Sequence, residues 1–149
     1  MSPQPGCGAR LRRLDGAERA IATAIEKLDL AKKHLKKVQG AWDPPEWADL
    51  ALYGFYCLEA AVDAAAIHHG VAVKAEHRDR VRAAEALHSK HGLPDIADLL
   101  GELNTLRKSE AYGDVEAPEM DPKRIATEVE EYVEAVSNRI RPKRKDTDS

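Results

Sequence analysis

Arg107 and Tyr112, separated by four residues near the end of a helical segment, carry side chains that could meet a phosphate. A guanidinium can hold a phosphate through two parallel hydrogen bonds, and Asn104 and Lys108 stand close to Arg107 in the sequence. A tyrosine hydroxyl could orient a neighbouring hydroxyl, but with an ordinary pKa of about 10 it is a poor base at neutral pH. Spacing adds a condition. On an unbroken helix, Arg107 and Tyr112 would point about 140° apart, given roughly 100° per residue. The helix must therefore end between them if both are to face one target, and Gly113 offers the left-handed backbone that ends helices. Spacing by itself also fits a plainer arrangement, with Arg107 as a cation at a helix end and Tyr112 packed beside the cap.

Glu59 and Asp63 form a second candidate group. They lie four apart in an otherwise apolar helical stretch and so share one face. Carboxylates buried there need partners, and Arg107 is a candidate partner that would draw them into the same site. The other arrangement is a pair of isolated carboxylates on a helix that is only partly buried. The six histidines do not suggest a metal centre. Glu85 and His88 make a single Glu-x-x-His pair, whereas a di-iron bundle needs two such pairs and two more glutamates. His88 and His91 share a face, but His77 stands three turns away. His68 and His69 precede Gly70, where dipole and capping favour histidine. There is no Gly-rich phosphate loop, nucleophile elbow or paired-cysteine zinc pattern.

Five helical segments must position these residues. In the first, Leu14, Ala17, Ile21, Ile25, Leu28, Ala31, Leu35 and Val38 recur at helical steps, with Asp15 and Glu18 spaced as a capping box. Gly40 and Asp43-Pro44-Pro45 end that pattern. The second, Glu46 to His69, is apolar on nearly every side and belongs at the centre of a bundle, with Gly70 as its left-handed stop. The third spans about Glu76 to His91 and closes at Gly92 and Pro94. The fourth spans Asp95 to about Glu110, with Ile96, Leu99, Leu100, Leu103 and Leu106 as its stripe. In the fifth, Asp121 caps, Pro122 opens, and Ile125, Val129, Tyr132, Val133, Val136 and Ile140 make the apolar face. No segment alternates like a strand. The chain thus reads as an all-α, up-and-down bundle of about five helices over residues 15–140, with a flexible leader at 1–14 and a flexible basic and polar tail at 141–149.

Composition narrows the setting. A chain of 149 residues fits one domain. Its net charge of −3 gives no global attraction to nucleic acid, but two basic clusters stand out. Lys27, Lys32, Lys33, Lys36 and Lys37 crowd the end of the first helix, and Arg139, Arg141, Lys143, Arg144 and Lys145 crowd the C-terminus. Either could track a phosphate backbone, or simply answer a helix dipole and keep the chain solvated. Cys7 and Cys57 sit in unrelated contexts, which argues against a disulfide. No apolar run is expected to reach the roughly 20 residues of a membrane span, and the N-terminus lacks a secretory core. The expected location is the cytoplasm, with no membrane partner.

The stretch Leu103-Asn104-Thr105-Leu106-Arg107-Lys108-Ser109-Glu110-Ala111-Tyr112-Gly113-Asp114 resembles the signature of the HEPN (higher eukaryotes and prokaryotes nucleotide-binding) family. In that signature an arginine near a helix end is followed, after four to six residues, by a histidine. Tyr53-Gly54-Phe55-Tyr56-Cys57-Leu58-Glu59-Ala60-Ala61 resembles the family's aromatic and alanine-rich second helix, and His77-Arg78 begins the next helix as it often does there. The resemblance covers about residues 15 to 140 and departs at one position, where Tyr112 replaces the histidine. It implies an RNA-targeting toxin or defence effector acting as a metal-independent endoribonuclease without cofactor, with Arg107 and Tyr112 as the catalytic pair and Glu59, Asp63, Lys108 and Asn104 in support. Losing a positioned acid–base group costs roughly 10²–10⁴ in rate, so the resemblance equally implies a non-catalytic RNA- or nucleotide-binding module. The family pattern further implies a homodimer whose two motifs flank one cleft. It also implies a nucleotidyltransferase antitoxin as partner, for which Tyr112 would be the modification site.

Overall fold

The computed structural model describes residues 15–74, 76–113 and 116–142. The leader at 1–14 with Cys7, Asp114 of the motif, and the tail lysines and arginine at 143–145 lie outside the described residues. Among the described residues five helices follow one another: α1 (Gly16–Gln39), α2 (Trp47–His69), α3 (His77–His91), α4 (Ala97–Tyr112) and α5 (Pro122–Ile140). Among the described residues there is no strand, and the fold is an all-α bundle.

Local chemistry accounts for most of the helix ends. Asp15 Oδ1 accepts from the Glu18 N–H at 2.7 Å, and Glu18 Oε1 accepts from the Asp15 N–H at 3.1 Å, which completes the capping box. Asp121 Oδ1 accepts from the Lys123 N–H, with Pro122 opening α5. Gly70, Gly92 and Gly113 all take left-handed angles, φ 71°, 74° and 74°, to stop α2, α3 and α4. At Gly92 a neighbour helps: Arg139 of α5 donates from Nη1 to the His91 carbonyl at 2.7 Å, satisfying an acceptor at the α3 end. Two sequence boundaries shift. Helix α4 begins at Ala97 and not at Asp95, with Ile96 in the cap position. It also runs on through Tyr112, because Ser109, Glu110 and Ala111 contain no breaker and Gly113 is the first residue suited to a left-handed stop.

Packing is organised around α2, which touches each of the other four helices. Leu50, Cys57, Val62, Ala64 and Ala66, spread over more than half of its circumference, are all fully buried, which is why its sequence shows so little polar face. Gly54 allows α4 and α5 to come close: a Cβ there would stand 3.3 Å from Leu103 Cδ1 and 3.8 Å from Ile125 Cγ2. The expectation that no segment has the length and apolarity of a membrane span fails here, because α2 has both; however, 72% of its most apolar window is buried inside the bundle. The same composition that suits lipid suits a helix enclosed by four others. Helix α5 buries the stripe read from its sequence, Ile125 through Val136, with Ile140 partly buried. Helix α1 departs from its pattern. Nothing before Ala24 is buried, Ile21 is 57% exposed, and the core contact begins at Ala24, Leu28 and Ala31.

Candidate functional site

Glu59 and Asp63 share a face of α2, one turn apart, and α3 delivers their partner. Arg80 donates from Nε and Nη2 to the two Asp63 oxygens, both at 3.0 Å, and from Nη1 to Glu59 Oε2 at 3.1 Å. The sequence-based expectation that Arg107 would serve these carboxylates is corrected: the guanidinium that bonds them is Arg80. The reason is topological. The chain returns along α2 after Gly70, so that α3 starts beside Phe55 and runs in the same direction as α2 to end with His91 on His69, and its first turn passes the carboxylates. All three side chains are largely buried. Hydrogen bonding to Asp63 holds the Arg80 pKa above its ordinary value. Burial pushes the Glu59 carboxyl upward, against the pull of Arg80 and of the more distant Arg107. Arg80 thus chiefly serves Asp63, and Glu59 is the less well compensated partner.

Arg107 occupies a different environment, between α4 and α2. Its Nη2 donates to Asn104 Oδ1 at 2.8 Å, one turn earlier on the same helix. Its guanidinium carbon lies 4.8 Å from the centre of the Phe55 ring, a cation–π arrangement that fixes the plane of the fork. Among the described residues no carboxylate bonds it, and its Nε is buried without a hydrogen-bond partner. His77, the first residue of α3, packs against the same Phe55 ring at 5.6 Å. Its Nδ1 is likewise buried and unpartnered, which leaves Nε2 as the nitrogen able to meet a ligand. Burial, followed by the charges of Lys108, Arg107 and Arg80, lowers the His77 pKa, so the ring stays neutral near pH 7.

The residues singled out from sequence therefore fall into three places. Arg107 and Asn104 are brought together, with exposed Lys108 beside them. Glu59 and Asp63 are brought together on Arg80, near enough for Glu59 to feel the Arg107 charge. Tyr112 is 70% exposed in the last turn of an uninterrupted helix, far round its axis from Arg107. The condition that the helix end between the two is not met, and within one chain they do not face one target. Three neighbours went unrecognised in the sequence: Arg80, Phe55 and His77. Phe55 reads as core, and no local spacing relates His77 or Arg80 to Arg107. Their convergence depends on how α3 docks.

A second histidine group lies at the opposite end of α2. His69 stacks on His91 at 4.3 Å and meets His68 edge-on at 4.8 Å. His88 Nδ1 lies 2.8 Å from the Leu93 carbonyl, an acceptor only, so that nitrogen carries the proton. Among the described residues no three histidine, cysteine or carboxylate side chains are arranged to hold a metal ion. Cys57 donates to the Ala31 carbonyl at 3.2 Å, and burial pushes its thiol up to about 12, which makes it a poor nucleophile. No protein-family model matches the sequence, and no curated protein matches it significantly.

What the Arg107 surroundings can do follows from their unmet valences. The guanidinium is oriented by an amide and a ring, uncompensated by any bonded carboxylate, and flanked by Lys108 and a neutral imidazole. That arrangement attracts and orients an oxyanion.

Proposed function

We propose that this chain is a HEPN-type domain that engages RNA, with Arg107 as the clamp for a backbone phosphate and Lys108 and Asn104 in support. The observation that carries the reading is Arg107 itself, fixed by Asn104 Oδ1 and the Phe55 ring yet bonded to no carboxylate among the described residues. An arginine that only stabilised the fold would be expected to find an anion, as Arg80 does. The biological role that fits is an RNA-targeting toxin or defence effector of the cytoplasm. Cleavage by the Arg107 and Tyr112 pair then requires a homodimer in which Tyr112 of one chain faces Arg107 of the other, because one chain's α4 holds them apart.

The test is metal-free incubation of the purified chain with labelled RNA, reading binding and product together. Binding that Arg107→Ala weakens about tenfold or more supports the clamp, and cleavage lost with the same substitution supports the effector role. A folded protein that binds no RNA, or binds it equally well as Arg107→Ala, removes the reading. A second role rests on the 70% exposure of the Tyr112 side chain: its hydroxyl is open to modification by a nucleotidyltransferase antitoxin. Mass spectrometry after co-expression with such an enzyme would find the added nucleotide on Tyr112, and an unmodified Tyr112 rejects it.

A further inference from the structure

A row of ring and cation contacts runs along the face shared by α1 and α2, and the buried Phe55 ring links its Tyr56 end to Arg107. Lys37 Nζ lies 5.9 Å from the Tyr53 ring centre. The His34 ring lies 5.9 Å from Tyr53 and 5.7 Å from Tyr56. Tyr56 is 6.1 Å from Phe55, and Phe55 carries both Arg107 and His77. The sequence spacing produces this row. Lys27, Leu30, His34 and Lys37 recur at three- and four-residue steps on α1, and Tyr53 and Tyr56 stand three apart on α2. Beside them runs a groove of about 130 Å³ lined by Lys27, His34, Tyr56, Glu59 and Arg80 among others.

Two features separate this face from ordinary core edge. Tyr56 and Leu30 are each 40% exposed, so apolar surface is left facing water at the middle of the row. The His34 ring is tilted by 31° against Tyr53 and 49° against Tyr56, so these rings do not seal one another face to face. Burial and the neighbouring Lys33 lower the His34 pKa, which keeps the ring uncharged near neutral pH. Cations stand at both ends, Lys37 at one and Arg107 with Lys108 at the other. Glu59 and Asp63 border the groove, and their pairing with Arg80 limits their repulsion of a phosphodiester.

We propose that this face is a track for single-stranded RNA leading to the Arg107 clamp, with bases stacking on Tyr56 and His34 and backbone phosphates answered by Lys37 and Lys27. The inference rests on the clamp reading above and adds the strandedness and path of the ligand. Aromatic rings interleaved with cations suit single strands because every base has a stacking face, whereas a duplex keeps its bases stacked inside. The track reads no particular sequence.

The experiment is fluorescence anisotropy of the full chain with labelled oligouridylates of increasing length, from a dinucleotide to about eight residues, beside a duplex of the longest length. Affinity is expected to rise about tenfold or more along the series, and the duplex is expected to bind no better than the dinucleotide. Tyr56→Ala and, separately, the exposed-site variant Lys37→Glu are expected to erase most of that gain while leaving dinucleotide affinity unchanged. Arg107→Ala should instead weaken the dinucleotide. A wild-type affinity independent of length, or a gain that survives both substitutions, overturns the track while leaving the clamp standing. A length gain with no dinucleotide binding sinks the clamp alone, and no RNA binding at all removes both. If Tyr56→Ala turns a dimer into a monomer and the length dependence persists, the face is an interface between copies of this chain and the track is rejected.

Discussion

Arg80 and Arg107 both lie against α2, and their surroundings are opposites. Arg80 uses three nitrogens on two carboxylates and offsets one of their two charges. Arg107 receives one amide oxygen and the face of a phenylalanine, and keeps a buried N–H without a partner. The first arrangement ties α3 to α2. The second holds a cation in place with no carboxylate bonded to it among the described residues, which leaves donors of its fork open to an anion. Burial alone does not separate the two arginines, since both are partly buried; what separates them is whether a carboxylate is hydrogen-bonded to the guanidinium.

The contrast is most readily broken by substitution. Arg80→Ala leaves two largely buried carboxylates one turn apart without their cation, and we expect a loss of about 2–3 kcal/mol in urea unfolding. An unchanged midpoint would mean that the cluster does not tie α3 down. Arg107→Ala should cost about 1 kcal/mol of stability, between the exposed and the desolvated limits of a cation–π contact, while weakening RNA binding about tenfold or more. If it destabilises the fold as much as Arg80→Ala does, the two arginines are alike and the clamp loses its basis. Asn104→Ala removes only the prop, so a weakening of RNA binding of about threefold is expected.

The smallest effect is acid sensitivity. His34, His69 and His77 all have lowered pKa values, with burial as the leading cause in each. A histidine that resists protonation in the folded state is protonated first in the unfolded one. The stability it supports is therefore present above the unfolded value near 6.5 and is lost as pH falls below it. Urea midpoints should decline modestly from pH 7 to 5. An NMR titration sharpens the point: Arg107→Ala should move the His77 pKa upward, because one of the charges that lowers it is gone. No movement would place Arg107 and His77 in separate environments.

The legibility of the sequence differed by element. Helix α5 was readable down to its cap, its opening proline and its buried stripe, because all three are set by residues within a few positions of one another. The first helix was readable in type but not in its buried face. Its apolar period continues to Ile21, yet periodicity reports which side is apolar and not whether another element lies opposite. Asn104 and Arg107 could be paired from sequence because one helical turn separates them. The assignment of Glu59 and Asp63 to Arg107 failed, since both α3 and α4 pack on α2 and nothing in the spacing says which arginine will arrive.

The sequence by itself determined the all-α class, the five helices, their caps and stops, and the burial of α2 at the centre. These follow from local backbone preferences and from the 3.6-residue period, which act over one or two turns. Only the tertiary structure decided that Arg80 takes the carboxylates and that Phe55 joins Arg107 to His77. Those outcomes depend on contacts between residues seventeen or more positions apart. They are fixed by how whole helices pack against α2, and no local pattern encodes that packing.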